Sequence, residues 1–204
     1  LPWVTVHLAY PGSRTEAIYL AVRDAGASAA ARRLAAIEEP SAKELFVLGL
    51  RAKWSGDLER AADLLSQAGI PARVDPEIRA TVWRKLLANV GINALTALHD
   101  CPNGRLLENP TLKDLLTKAV LEAAAVAGAK GIALEPDPLK SVLDICRATG
   151  GNISSMLQDV RAGRPTEIGA INGAVVEEGH RLGIPVPVNE SLVRRVRQRE
   201  REYL

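Results

Sequence analysis

From residue 77 onward, apolar positions recur every three to four residues over segments of helical length. This pattern predicts helices near residues 77–98, 110–128, 138–149, 153–162, 166–182 and 189–202. Glycine, proline and asparagine interrupt the pattern between these segments, as expected of turns between helices. The sequence therefore predicts an all-helical domain over residues 75–204.

Before residue 75 the pattern changes, because short β-like runs alternate with helical ones. Strands are predicted at residues 4–8, 17–22 and 45–50, and helices at 25–37 and 57–68. Such alternation is typical of α/β folds. Residues 1–74 are therefore interpreted as a separate α/β domain, and the fold class as α/β plus all-α.

The composition excludes several classes of protein. Lys and Arg number 26 against 24 Asp and Glu, so the net charge of +2 gives no general attraction to nucleic acid or to a membrane surface. No apolar run approaches the roughly 18 to 20 residues of a membrane span, and the first residues lack the pattern of a signal peptide. We therefore expect neither a nucleic-acid partner nor a membrane partner. The arginine-rich end of the chain is interpreted as a solvated terminal helix, because glutamates alternate with the arginines.

The cysteines and histidines point to no metal site and no disulfide framework. Cys101 and Cys146 are too few for such a framework, which indicates a reducing, cytoplasmic setting. The three histidines, at positions 7, 99 and 180, have no metal-ligand spacing with each other or with the cysteines. No metal is therefore predicted.

The most informative segment is the predicted helix at 79–98, which is apolar over most of its circumference. Lys85, Asn89 and Asn93 are spaced four residues apart, and each step of four advances only about 40° around a helix, so they form one narrow stripe. Burying an ammonium and two amides is costly unless each finds a partner. We favour a polar ligand pocket over the alternative, in which the lysine extends into solvent and the amides bond to neighbouring backbone.

Two further segments carry candidate polar groups. After the glycine pair at 150–151, either Asn152 or Ser154 can cap the following helix, and the N-terminus of that helix with its hydroxyl groups can also receive a carboxylate. Glu167 is expected in the first turn of the helix at 166–182, where it either faces inward or stabilises the helix dipole.

These segments resemble the ketopantoate reductase (2-dehydropantoate 2-reductase) family in order and in residue identity. The matching runs are residues 83–86 with Asn89, 92–98, 101–104, 152–159, 166–168, 171–173, and 183–187 with Asn189. The resemblance implies the helical substrate-binding and catalytic domain of that family over residues 75–204. It also implies NADPH-dependent reduction of 2-dehydropantoate to pantoate, in pantothenate and coenzyme A biosynthesis.

Residue roles follow from the resemblance. Lys85 would be the general acid that protonates the ketone oxygen, and Glu167 would hydrogen-bond the forming hydroxyl and orient the lysine. Four further side chains would bind the substrate, a small 2-keto acid: Asn89, Asn93, Asn152 and Ser155. Gly169 departs from the acidic residue that the family typically has there, which puts a peripheral contact in doubt. A homodimer through the apolar helix at 115–127 is a further expectation.

The larger departure lies in residues 1–74. Residues 15–34 resemble a later strand and helix of the family's Rossmann-like cofactor domain, but the glycine-rich GxGxxG motif is absent. Disordered segments left out of the chain, truncation or natural loss would each explain this, and the missing initiator Met favours one of the first two. NADPH is therefore expected from the resemblance alone, with its binding residues unknown.

The alternative is a divergent homologue without a functional cofactor site, acting as a binding module or by non-redox chemistry on another keto substrate. The same residues would also serve another 2-keto acid.

Overall fold

The structure is a computed structural model that describes residues 5–8, 16–19, 58–67, 73–75 and 77–203. Its strands are β1 (Thr5–Leu8) and β2 (Glu16–Tyr19). Its helices are α1 (Leu58–Gln67), α2 (Ile78–His99), α3 (Arg105–Glu108), α4 (Pro110–Ala129), α5 (Pro138–Ala148), α6 (Ser155–Arg161), α7 (Asn172–Leu182) and α8 (Pro187–Glu200). The chain divides into two compact units, Leu1–Arg79 and Ala80–Leu204. The boundary predicted between residues 74 and 75 lies slightly earlier and stays a prediction.

Within the first unit, β1 and β2 pair antiparallel, with Thr5 opposite Tyr19 and Leu8 opposite Glu16. The two predicted strands at 4–8 and 17–22 and the helix at 57–68 are confirmed, with small differences at their ends. The predicted helix at 25–37 and strand at 45–50 lie outside the described residues. The unit therefore mixes strand and helix, as the α/β interpretation requires.

Local signals explain where several helices of the second unit begin and end. The Asn109 side chain accepts hydrogen bonds from the backbone N–H groups of Thr111 and Leu112, and Pro110 occupies the first turn of α4. The Asp137 side chain caps α5 in the same way. Gly183, with φ of +69°, ends α7 in the left-handed conformation that glycine adopts without strain.

The predicted all-helical domain is confirmed, and five of its six predicted helices begin and end close to the observed bounds. The helix predicted at 166–182 is wrong at its start, because α7 begins only at Asn172. The backbone carbonyl of Glu167 instead accepts bonds from the N–H groups of Ala170 and Ile171 in a turn that precedes the helix. The short helix α3 was not predicted.

The core of the second unit surrounds α2, whose apolar residues Leu87, Val90 and Leu95 are 1% exposed or less. Its contact with α4 is close. A Cβ added at Gly91 would lie 2.7 Å from Val120 Cγ2, so glycine allows the two helices to approach. Within the described residues, no helix combines the length and apolarity that a membrane crossing requires.

Candidate active site

The stripe predicted on α2 runs from the surface into the interior. Lys85 is exposed, Asn89 is half-buried, Asn93 is 6% exposed and Thr96 is fully buried. Among the described residues, the side chains of Asn89 and Asn93 make no hydrogen bond. Neither side chain is among the fully enclosed polar groups without a partner in the described part of the chain. The two amides are therefore available to a ligand that enters along the stripe.

Lys85 and Glu167 interact electrostatically although they are far apart in the sequence. Partial burial lowers the pKa of the Lys85 ammonium from its ordinary value, and the Glu167 carboxylate opposes this by raising it. Glu167 itself is exposed and lies in the loop before α7, which corrects the expectation that it stands on a helix. An ammonium and a carboxylate from separate elements thus interact electrostatically at the outer end of the stripe.

At the inner end of the stripe, a buried pair of hydroxyl groups joins α2 to α6. Thr96 Oγ1 lies 2.7 Å from Ser154 Oγ and 3.0 Å from the carbonyl oxygens of Ile92 and Asn93. Ser154 Oγ accepts from the Leu157 N–H and caps α6. If the Thr96 hydroxyl donates its proton to a carbonyl of its own helix, the Ser154 hydroxyl is the donor in the bond between the two hydroxyl groups.

The structure thereby chooses between the two capping residues that the sequence left open: Ser154 caps α6, and Asn152 does not. Asn152 and Ser155 lie on either side of this cap and are both exposed. Their side chains are therefore accessible to a ligand, whereas the hydroxyl between them serves the fold.

The loop at 101–104 supports the backbone of Asn152. The Asn103 N–H donates to the Asn152 carbonyl at 3.0 Å, and the Gly104 N–H donates to the Gly150 carbonyl at 2.9 Å. The Asn103 amide nitrogen donates to Thr149 Oγ1, while its Oδ1 is buried without a partner in the described part of the chain. Asn103 is thus a candidate polar group that was not singled out from the sequence, where its only signal was its place in a family-like loop.

Metal binding finds no support in the part of the chain that the structure describes. There, no three or more His, Cys, Asp or Glu side chains are grouped so that they could hold a metal ion. The candidate site therefore consists of one ammonium, one carboxylate, hydroxyl groups and amides.

These features define an all-helical domain whose central helix carries a polar stripe from the surface into the interior. The family described as "Ketopantoate reductase PanE/ApbA C terminal" matches residues 77–200. The chain belongs to the ketopantoate reductase family, and the resemblance drawn from its motifs is confirmed.

Individual relatives agree with this assignment. The 2-dehydropantoate 2-reductase of Vibrio cholerae is 41% identical over 143 residues, covering 70% of this chain and 48% of that protein. The crystal structure of a ketopantoate reductase of the same family from Ralstonia eutropha JMP134 has a TM-score of 0.65 and 34% identity, covering 70% of this chain and 48% of that one. D-mandelate dehydrogenase, solved with NADH and anilino(oxo)acetate, has a TM-score of 0.63 and 27% identity, covering 72% and 49%. The chain thus spans about half the length of these relatives.

Proposed function

We propose that this chain forms the substrate-binding and catalytic half of a 2-dehydropantoate 2-reductase, which reduces 2-dehydropantoate to pantoate with NADPH. Family membership supports the reaction. The observation that carries the proposal is the stripe on α2. There Asn93, which is 6% exposed and whose side chain has no hydrogen bond among the described residues, lies in line with an ammonium that interacts with Glu167. Such a stripe suits a small molecule with a carbonyl at one end and polar groups along its length.

The cofactor belongs to the proposal for the complete protein. Among the described residues, β1 and β2 pair antiparallel, and no glycine-rich turn leads from a strand into a helix to receive a pyrophosphate. NADPH is therefore assigned from the family alone, and its binding residues are not identified. What this chain's own residues contribute is the binding of the keto acid and the proton for its oxygen.

Proton delivery follows from the environment of Lys85. Partial burial makes its ammonium a stronger acid than a lysine in water, while the nearby Glu167 carboxylate keeps it charged. The ammonium first polarises the keto oxygen by hydrogen bonding and then transfers its proton to that oxygen. Asn89, Asn93, Asn152 and Ser155 hold the remaining polar groups of the substrate.

Replacing Lys85 tests this assignment. In the complete protein, we expect Lys85→Ala to lower kcat by about 10²- to 10⁴-fold with 2-dehydropantoate and NADPH, because a positioned general acid contributes about that much. Lys118→Ala is the matched control, since Lys118 is an exposed lysine on α4 that pairs only with Asp114 among the described residues. Undiminished turnover by Lys85→Ala would remove the proposed mechanism.

Two other candidate functions each have an observation in their favour. The likeness to D-mandelate dehydrogenase favours a 2-keto acid with another side chain, and a panel of such acids with NADPH and NADH separates these substrates. The second alternative is a homologue without cofactor chemistry, which was suggested by the missing GxGxxG motif in the sequence. Calorimetric titration of the complete protein with NADPH decides that point, because tight binding is incompatible with a lost cofactor site.

A further inference from the structure

The Glu167 carboxylate must be held in place although it belongs to a loop. Its own backbone carbonyl accepts bonds from Ala170 and Ile171 at 3.0 Å each, and the Ile168 carbonyl accepts from Gly173 at 2.9 Å. These bonds shape the end of the loop that leads into α7. They do not hold the start of the loop, which precedes the glutamate.

The start of the loop is bound by the last residue of α8. Glu200 Oε1 accepts two hydrogen bonds from Thr166, at 2.7 Å from its backbone N–H and at 2.8 Å from its hydroxyl. Thr166 Oγ1 in turn accepts from the Ile168 N–H at 3.3 Å. Thr166 is thus bonded directly to the Glu200 carboxylate, and Ile168 is linked to that carboxylate only through the Thr166 hydroxyl. Bonds to an ionised acceptor are stronger than neutral ones.

The anchor for this contact is the packed body of α8. Leu192, Val193 and Val196 bury that helix in the core of the second unit. Glu200 is half-buried. Although arginines are abundant on its own helix, the hydrogen bonds of its carboxylate within the described residues go to Thr166 alone. Within the described residues, the Glu200 carboxylate therefore bonds only to the loop that carries Glu167.

Two further contacts hold the loop where it leaves α6. The Tyr203 hydroxyl donates to the Arg164 carbonyl at 3.2 Å. The Arg164 guanidinium pairs with Asp159, at 2.6 Å from Oδ1. Tyr203 and Glu200 thus contact the loop at two places, Arg164 and Thr166. The contact made by Glu200 is the nearer one to Glu167 in the sequence.

We propose that Glu200 is a positioning residue for the active site, which holds the loop through Thr166 so that Glu167 stays beside Lys85. This inference rests on the proposed function, because positioning Glu167 matters for activity only if Lys85 and Glu167 act in catalysis. Glu200 touches neither the substrate nor the reacting atoms. Its effect reaches the chemistry through the charge that Lys85 experiences.

The test measures the pKa of Lys85 without relying on turnover. The complete protein is labelled with acetic anhydride over a range of pH, and the modification of Lys85 is followed by peptide mass spectrometry. Glu167→Gln removes the charge that raises the Lys85 pKa, so that pKa falls. Glu200→Ala frees the loop, and we expect a shift in the same direction. Glu200→Gln keeps an oxygen that can accept the Thr166 bonds, and the pKa returns most of the way to that of the unsubstituted protein.

Kinetics of the same variants separate positioning from a general loss of structure. We expect Glu200→Ala to lower kcat about 10- to 100-fold, as misplacement of a catalytic group by about 1 Å does, with little change in the KM for NADPH. Glu202→Ala is the matched control, because Glu202 pairs with Arg199 on the same C-terminal segment and makes no bond to the loop. Thermal unfolding of each variant confirms that it is folded.

The outcomes are distinct. An unshifted Lys85 pKa in a folded Glu200→Ala protein, together with a shifted one in Glu167→Gln, overturns the positioning role and leaves the proposed function standing. Absence of turnover by the unsubstituted protein with every 2-keto acid refutes the proposed function, whereas the labelling curves still decide whether Glu200 positions Glu167.

Discussion

Lys85 is the residue whose environment contributes most to the proposed chemistry. Burial lowers its pKa and the Glu167 carboxylate raises it, so the two effects oppose each other on one ammonium. A general acid works best when its pKa lies near the operating pH. Partial burial makes the Lys85 ammonium more acidic, and the Glu167 carboxylate limits that effect.

This balance predicts a pH dependence. The general acid must carry its proton, so activity is lost as pH rises through the pKa of Lys85. Because the Glu167 charge raises that pKa, Glu167→Gln lowers it, and we expect the alkaline limb of kcat/KM to move to lower pH. The measurement is a pH profile of the complete enzyme, with Glu177→Gln on the exposed side of α7 as control. An alkaline limb that stays in place in Glu167→Gln would show that this carboxylate does not act on Lys85.

Among the helices, α2 and α4 approach each other through a glycine. A Cβ at position 91 would meet Val120 Cγ2 at 2.7 Å and Leu116 Cγ at 3.3 Å, whereas a Cβ at Gly128 on α4 would meet nothing within 4 Å. The two glycines therefore offer a matched comparison between a packed position and an open one. The result bears on the site, since α2 carries Lys85 and both asparagines of the stripe.

We expect the two alanine substitutions to change stability in opposite directions. Gly91→Ala overpacks the contact at a cost of about 1–3 kcal/mol, against a gain of up to about 1 kcal/mol in helix propensity. Gly128→Ala gains the propensity alone and is stabilised by roughly 0.5–1 kcal/mol. Urea denaturation followed by circular dichroism measures both. Equal stabilisation of the two variants would contradict the close approach of α2 and α4.

Four helices of the second unit meet in one buried polar network. The Asn172 amide nitrogen on α7 donates to the Val90 carbonyl on α2 and to Asn189 Oδ1 on α8, at 3.2 and 2.9 Å. The Asn189 amide nitrogen donates to the Ala119 carbonyl and to Glu122 Oε2 on α4, at 3.1 and 2.7 Å. Val90 lies between Asn89 and Asn93 in the sequence of α2. Because the network binds the Val90 carbonyl, it helps to hold α2 in the rotation that turns the stripe toward the site.

Glu122 is the charged member of this network and accepts three of its hydrogen bonds, so its removal is a sharp test. Its carboxylate also accepts from the backbone N–H groups of Val188 and Asn189 and so caps α8. We expect Glu122→Ala to lower the free energy of unfolding by about 2–4 kcal/mol, since it removes a cap and leaves partly buried donors unpaired. Glu122→Gln, which keeps one acceptor, loses less. Chemical denaturation beside Glu177→Ala, an exposed control, measures the difference, and equal losses in both alanine variants would contradict the network.

The elements of the helical unit were predictable because the signals that make them are local. Apolar periodicity, Pro110, Pro138 and Gly183 mark helices within a few residues of themselves, and the observed bounds follow them closely. The stripe of Lys85, Asn89 and Asn93 was equally predictable, because helical geometry alone places side chains four residues apart on one face.

Where Glu167 lies, and what holds it, depends on contacts that no local pattern contains. Residues 166–182 have a helical composition, yet Thr166 bonds to a glutamate 34 positions away, and the helix starts only at Asn172. The Thr96 hydroxyl likewise finds its partner 58 positions along the chain. Periodicity reports which face of a segment is buried, but the partner of a buried polar group is chosen by whichever distant residue the packed helices bring within hydrogen-bonding distance.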